Sequence, residues 1–151
     1  FSHLAEELGE KMTETLRFWM KEGNGVTGVE VQRANEARTR LFRLVESWFT
    51  DIDLLVTPTL TRAAIAADHD PREPITLDEK TADVPRASWY PYTHPFNLTG
   101  HPAITVPCGF TSEGLPVGLQ IVGQWLSDEK VLHAAACFER ARPWAERRPE
   151  V

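Results

Sequence analysis

The chain has 151 residues, of which 42% are hydrophobic and 25% charged, a composition typical of a soluble globular domain. Its net charge of −6 disfavours nucleic acid as a partner, because no broad cationic surface is available to neutralise phosphates. No apolar run approaches the roughly 20 residues needed to cross a bilayer, so we expect a cytoplasmic protein with no membrane partner. Two cysteines, Cys108 and Cys137, predict reduced thiols rather than a disulfide framework.

Two helices are predicted in the N-terminal third. The first covers about 3–22, where apolar residues recur at helical spacing until Gly23-Asn24-Gly25. A chain that begins at Phe1 beside such a pattern suggests a cleaved or truncated protein. The second helix covers about 28–50 and begins at a capping box formed by Thr27 and Glu30. Its predicted buried stripe is Ala34, Ala37, Leu41, Leu44, Val45 and Trp48.

The apolar run at about 52–57 predicts a strand that is covered on both faces, and a helix that feeds such a strand favours an α/β fold. Residues at about 60–88 are polar, charged and interrupted by prolines, which predicts a long surface loop.

Two further strands, at about 103–107 and 117–123, are close enough in sequence to pair as a hairpin. In the last strand Gly118, Gln120 and Val122 share one face, and the glycine predicts a close approach there. A final helix covers about 128–141 with Ser127 as its N-cap. Its predicted buried stripe is Val131, Leu132, Ala135 and Phe138.

Three segments in this order resemble the C-terminal portion of the amidase-signature family. They are Asp53-Leu-Leu-Val-Thr-Pro-Thr59, Asn97-Leu-Thr-Gly-His-Pro-Ala-Ile-Thr-Val-Pro107 with Gly109, and Gly114-Leu-Pro-Val-Gly-Leu-Gln-Ile-Val-Gly123. The resemblance implies an α/β fold with one large mixed sheet and helices packed on it. It also implies hydrolysis of a carboxylic amide to an acid and ammonia or an amine. We expect no cofactor and no metal.

The family mechanism implied by this resemblance uses a Ser-Ser-Lys triad, which would lie upstream of the matching region. The five serines, Ser2, Ser47, Ser88, Ser112 and Ser127, are never adjacent and never sit in a glycine-rich turn. The four lysines lie in polar surroundings, whereas a lysine base needs burial to lower its pKa. We therefore predict no catalytic residue in this chain and no activity of this segment alone.

Candidates for the substrate pocket lie in two places. The first is the C-terminal end of the first strand, where α/β sheets bind ligands. The second is an aromatic cluster that can line a pocket or fill a core. The candidates are Thr57, Pro58, Thr59, Trp89, Tyr90 and Thr93, with Tyr92 and Phe96 completing the aromatic cluster.

Tyr90 bears on the substrate. In the branch of the family that transfers ammonia from glutamine to mischarged tRNA, the resemblance implies an acidic residue near this position, which holds the substrate's amino group. An aromatic residue there favours a stand-alone amidase for a less polar amide over the amide-hydrolysing component of a glutamine-dependent amidotransferase.

Three other patterns have competing interpretations. Residues 95–102 are either a pocket wall or a turn that feeds a buried strand.

Cys108 with His94 or His101 could be a Cys-His nucleophile, but a cysteine after a strand proline is more often a small buried hydrophobe. Asp68-His69-Asp70 resembles a metal-binding fragment, but adjacent side chains diverge, which favours a solvated loop.

Two hypotheses for the whole chain follow. In the first, it completes the sheet and one pocket wall of an amidase, and its partners are a small-molecule amide and the missing N-terminal part of the domain. In the second, it is a catalytically inactive structural or interaction module. Strands that need neighbours at both edges predict that the isolated chain self-associates, for example as a homo-oligomer.

Overall fold

The computed structural model describes residue 4 and residues 7–77 and 79–147. The chain divides into two compact units, Phe1–Thr39 and Arg40–Val151. Its helices are α1 (Glu14–Gly23), α2 (Gly28–Trp48), α3 (Pro85–Ser88), α4 (His94–Thr99) and α5 (Asp128–Ala141). Its strands are β1 (Leu54–Pro58), β2 (Thr76–Leu77), β3 (Lys80–Thr81), β4 (Ala103–Phe110) and β5 (Pro116–Gly123). None of the helices in these described ranges is long and apolar enough to span a membrane.

The start of α2 confirms the predicted capping box. The Thr27 amide donates to the Glu30 carboxylate at 2.8 Å, and the Glu30 amide donates to Thr27 Oγ1 at 3.2 Å. The single first helix predicted at about 3–22 is wrong. A short 3-10 turn at Gly9–Lys11 precedes α1, because Met12 and Thr13 adopt extended conformations and the Thr13 side chain caps Leu16.

The predicted buried stripe of α2 is largely wrong. Val45 is the buried residue of α2, while Ala34, Ala37, Leu44 and Trp48 are exposed. Helical spacing shows which residues share a face, but burial also needs a neighbouring element to cover that face.

The main sheet has the strand order β1-β5-β4, and both pairs are antiparallel. The predicted hairpin of β4 and β5 is confirmed by the pairing of Ala103 with Val122 through Phe110 with Pro116. The register shifts between Pro107 and Gly109, so the β4 ladder bulges at Cys108. Because all described pairs are antiparallel, the mixed character of a larger sheet stays an expectation.

Strand β1 is not covered on both faces by the described residues. Val56 is 52% exposed, and Ile52 just before the strand is exposed as well. Both β1 and β4 are edge strands of this three-stranded sheet.

The predicted loop at about 60–88 contains regular structure. Strands β2 and β3 pair antiparallel, and Ile75 extends this ladder by exchanging hydrogen bonds with Ala82 and Asp83. Ile75 is also buried, which explains how so polar a segment holds a hairpin. The short helix α3 then ends the segment.

Two hydrophobic clusters form the core. One joins α2, α4 and β5 through Val45, Phe96 and Val122, and the other joins the sheet to α5 through Val106, Ile121 and Ala135. In α5 the predicted burial of Leu132 is wrong, since this side chain is 59% exposed. Ser127 is the N-cap residue, but its hydroxyl donates to the Gln124 carbonyl rather than capping the helix.

Candidate functional site

The end of β1 is held against β5 by backbone and side-chain contacts. The amide of Thr59 donates to the Gly118 carbonyl at 3.0 Å, and Thr59 Oγ1 donates to Thr105 Oγ1 at 3.2 Å. A Cβ atom on Gly118 would lie 2.8 Å from Thr59 Oγ1 and 2.9 Å from Thr105 Cγ2. The glycine therefore permits the close approach predicted for this face of the strand.

Gln120 connects the end of β1 to the aromatic segment, residues 89–96, which carries the aromatic cluster. Its side chain is buried, and its Nε2 donates to Thr57 Oγ1 and to the Tyr92 carbonyl, each at 3.0 Å. These two acceptors belong to the two groups of predicted pocket residues, which the sequence separates by more than thirty positions. The fold thus brings both groups to one region.

The loop after β1 is also joined to the aromatic segment. Thr61 donates through its amide to the Trp89 carbonyl at 2.9 Å and through its hydroxyl to the Ser88 carbonyl at 2.7 Å. The indole Nε1 of Trp89 donates to the Arg62 carbonyl at 3.2 Å. The guanidinium of Arg62 reaches the Thr76 carbonyl, which links the β2–β3 hairpin to the same loop.

The aromatic cluster is divided between a buried ring and half-buried rings. Phe96 is a buried core residue. Trp89 and Tyr90 are half-buried, with ring centroids 6.2 Å apart, and Tyr90 packs edge-on against the His94 ring at 5.3 Å. Thr93 donates to the Tyr90 carbonyl at 3.0 Å, which stabilises the turn that presents these rings.

A groove of about 390 Å³ lies beside the end of β1. It is lined by Pro58, Leu60, Thr61, Arg62, Ala63, Tyr92, Pro116, Val117 and Gly118. Of the predicted pocket candidates, Pro58 lines this groove, whereas Thr57, Thr59, Trp89, Tyr90 and Thr93 are not among its lining residues. The sequence patterns did not identify Leu60, Ala63 or Val117, because their apolar side chains belong to no motif of a binding site.

The segment 95–102 forms a turn and also borders a cavity. Gly100 ends α4 with a φ of 74°, and its amide donates to the Phe96 carbonyl at 2.8 Å. This segment contributes Phe96, Asn97, Gly100, His101 and Pro102 to a second cavity of about 480 Å³. The two interpretations of this segment are therefore compatible.

Among residues 7–77 and 79–147, no histidine is hydrogen-bonded to Cys108. Its thiol donates to the Val117 carbonyl at 3.4 Å, whereas the imidazole of His101 contacts Glu46 and Thr99. The predicted burial of Cys108 is wrong, because the bulge in β4 leaves the side chain exposed. A Cys-His nucleophile at this position has no geometric support.

The described serines and lysines form no catalytic pair with one another. The hydroxyls of Ser47, Ser88 and Ser127 each donate to a backbone carbonyl at 2.6–2.7 Å. All four lysines are exposed, and the ammonium of Lys130 pairs with Asp53 at 3.0 Å. None of these amines has the buried setting that a lysine base needs.

The fragment Asp68-His69-Asp70 is a surface loop. The Arg72 guanidinium hydrogen-bonds Asp70 and, as the largest of several causes, lowers the pKa of that carboxyl to about 2. His69 Nε2 lies 3.2 Å from the Glu73 carbonyl. Among residues 7–77 and 79–147, no group of three or more histidine, cysteine or acidic side chains could hold a metal ion.

This chain is similar to known proteins over most of its length. The model of the Amidase family matches residues 2–132. An acylamidase from Rhodococcus erythropolis is 39% identical over 130 residues, which are 86% of this chain and 27% of that protein. A component of the glutamyl-tRNA(Gln) amidotransferase of a Cyanothece strain is 34% identical over 119 residues, which are 79% of this chain and 23% of that protein.

Solved structures show the same likeness. A bacterial aryl acylamidase of the amidase signature family matches with a TM-score of 0.78 and 27% identity, over 99% of this chain and 33% of that one. A 6-aminohexanoate cyclic dimer hydrolase matches with a TM-score of 0.73 and 30% identity over the same shares. The chain therefore spans about a quarter of the length of these curated relatives and a third of these solved chains.

Proposed function

This chain belongs to the Amidase family, and from that membership we propose that it forms the C-terminal part of an enzyme that hydrolyses a carboxylic amide to an acid and ammonia or an amine. The observation that carries this proposal is the likeness to an acylamidase over 86% of the chain at 39% identity. The segment supplies part of the sheet and one wall of the substrate site.

The groove beside β1 and the aromatic segment next to it form this part of the substrate site. Its lining by Leu60, Ala63 and Val117 suits a substrate with an apolar group, because apolar pockets bind ligands by removing nonpolar surface from water. Tyr90 supports the same choice, since an aromatic ring cannot pair with a substrate's ammonium group as a carboxylate would. We therefore propose a small, less polar amide as the substrate.

Catalysis needs the rest of the domain. The hydroxyls of Ser47, Ser88 and Ser127 donate to backbone carbonyls and all four lysines are exposed, so none of these groups is an activated nucleophile. We propose that the Ser-Ser-Lys triad lies in the missing N-terminal part and that the segment alone is inactive. The free thiols of Cys108 and Cys137 support a reducing compartment such as the cytoplasm.

The test is ammonia and amine release by the full-length protein and by residues 1–151 alone. A panel of aliphatic, aromatic and α-amino amides would be supplied to both, with glutamine included. We expect the full-length protein to hydrolyse the less polar amides and the 151-residue segment to release nothing. Full-length protein that hydrolyses no member of the panel would favour the inactive-module hypothesis.

The amide-hydrolysing component of a glutamine-dependent amidotransferase is the second candidate. The 34% identity with the Cyanothece protein favours it, whereas Tyr90 disfavours it. Glutamine hydrolysis that exceeds the hydrolysis of the apolar amides would select this function.

A further inference from the structure

His101 is a buried titratable residue that the proposed function does not use. Its side chain has no exposed surface, and it directly follows Gly100, at which α4 ends. Its ring nitrogens contact Glu46 at the end of α2 and Thr99 in α4, and the amide of Trp125, after β5, donates to the same Glu46 carboxylate.

Both ring nitrogens of His101 face acceptors. Nδ1 lies 2.8 Å from Thr99 Oγ1, and Nε2 lies 3.1 Å from Glu46 Oε1. The hydroxyl of Thr99 donates its one hydrogen to the Pro95 carbonyl at 2.9 Å, so it accepts from Nδ1. An ionised carboxylate likewise only accepts. An imidazole that donates from both nitrogens carries a positive charge.

The surroundings favour this charge. The ring of His101 packs against Phe42 and Phe49, with centroid separations of 5.3 and 5.8 Å, and aromatic faces attract cations at such distances. The amide of Trp125 donates to the same Glu46 oxygen at 3.0 Å. This bond, followed by the contact with His101, lowers the pKa of Glu46 and keeps it ionised. Asp128 of α5 lines the same cavity as His101 and adds a second acidic group.

The cluster lies at one end of the segment 92–101, of which Tyr92 lines the groove beside β1. At the other end, Gln120 holds the Tyr92 carbonyl at 3.0 Å. Between these two anchors lies the one short helix α4. Loss of the His101 anchor therefore loosens residues 92–100, and with them Tyr92, whereas Trp89 stays bonded to Thr61 and Arg62.

We propose that His101, held as an imidazolium by Glu46 and Thr99, is a positioning residue that fixes the segment 92–101 and, through it, Tyr92 of the substrate groove. The charge state and the anchoring are properties of the fold. Only the link to substrate binding rests on the proposed function.

The charge is measured on full-length protein labelled with [15N]histidine, in two-bond 1H–15N correlation spectra at pH 7. We expect both ring nitrogens of His101 to have the 15N chemical shifts typical of an imidazolium. Glu46→Gln keeps the shape of the side chain and removes its charge. The His101 signal is identified as the one that changes in this variant, and its chemical shifts should move toward those of a neutral tautomer. Where that variant does not fold, Thr99→Val identifies the signal instead. A neutral ring in the unsubstituted protein, with Thr99 donating to Nδ1, would overturn the proposal.

The anchoring is measured in the same variant by hydrogen exchange and kinetics. Glu46→Gln should accelerate amide exchange in residues 92–100, and it should raise KM by roughly three- to tenfold while kcat changes less than about twofold. Glu36→Gln, at an exposed position of the same helix, is the matched control and should change neither.

Unchanged exchange in residues 92–100, or an unchanged KM in an active enzyme, would contradict the positioning role. Absence of amidase activity would instead overturn the proposed function. The spectra and the exchange rates would still decide the charge and the anchoring in that case.

Discussion

The side-chain amide of Gln120 lies 3.0 Å from the carbonyl oxygen of Tyr92, and the same nitrogen donates to Thr57 at 3.0 Å. Replacing this buried residue by leucine leaves both acceptors without their donor. We expect Gln120→Leu to lower the free energy of unfolding by about 1–3 kcal/mol. Thermal and urea unfolding of the full-length protein would measure it. Gln32→Leu, at an exposed position of α2, should stay within about 0.5 kcal/mol.

Gly118 leaves no room for a side chain against Thr59 and Thr105. We expect Gly118→Ala to destabilise the protein by about 1–3 kcal/mol, because an added Cβ would lie 2.8 Å from Thr59 Oγ1. Gly109→Ala is the matched control in the neighbouring strand, where a Cβ meets nothing within 4 Å. Equal melting temperatures for the two variants would contradict the close approach.

Glu46 makes stability depend on pH in the acid range. Its pKa in the folded protein is lowered, mainly by the Trp125 amide, below the ordinary glutamate value of about 4.3. The stabilisation is therefore complete above that ordinary value and is lost as pH falls through the lowered folded value. The difference in melting temperature between the unsubstituted protein and Glu46→Gln should shrink as pH falls below about 4. A difference that grew toward acid would reverse the assigned sign, and Glu36→Gln should show none.

Tyr90 is expected to set substrate preference. In the complete enzyme Tyr90→Asp should shift the ratio of kcat/KM toward amides that carry an α-amino group, because a carboxylate attracts an ammonium group. Turnover of a preferred small amide should change less. Tyr90→Phe keeps the ring that packs on His94 and should keep the preference. An unchanged preference profile in the Asp variant would remove Tyr90 from the pocket.

The isolated 151-residue segment is expected to self-associate. Strand β1 is an edge of the described sheet, and Val56 on it is 52% exposed. Val56→Lys should raise the monomer fraction in light scattering, because a charge on an edge strand opposes further pairing. Leu126→Lys places the same charge on an exposed leucine in a turn and should have little effect. A monomeric unsubstituted segment would favour the inactive-module hypothesis.

Local patterns in the sequence determined several features of this protein. The capping box of Thr27 and Glu30 joins residues three positions apart, and the β4–β5 hairpin joins neighbouring strands. Gly118 identified a tight strand face because side chains alternate with a period of two. The family was likewise evident from three motifs in order, since motif recognition requires no knowledge of packing.

Tertiary structure decided which predicted faces are buried and which distant groups meet. Leu132 and Trp48 have the spacing of core residues, yet no described element covers them enough to bury them. The Gln120 bridge spans 63 and 28 positions, and the pair of His101 and Glu46 spans 55. Sequence periodicity describes only the near neighbours of a residue, whereas these contacts form when the hydrophobic clusters bring distant elements together.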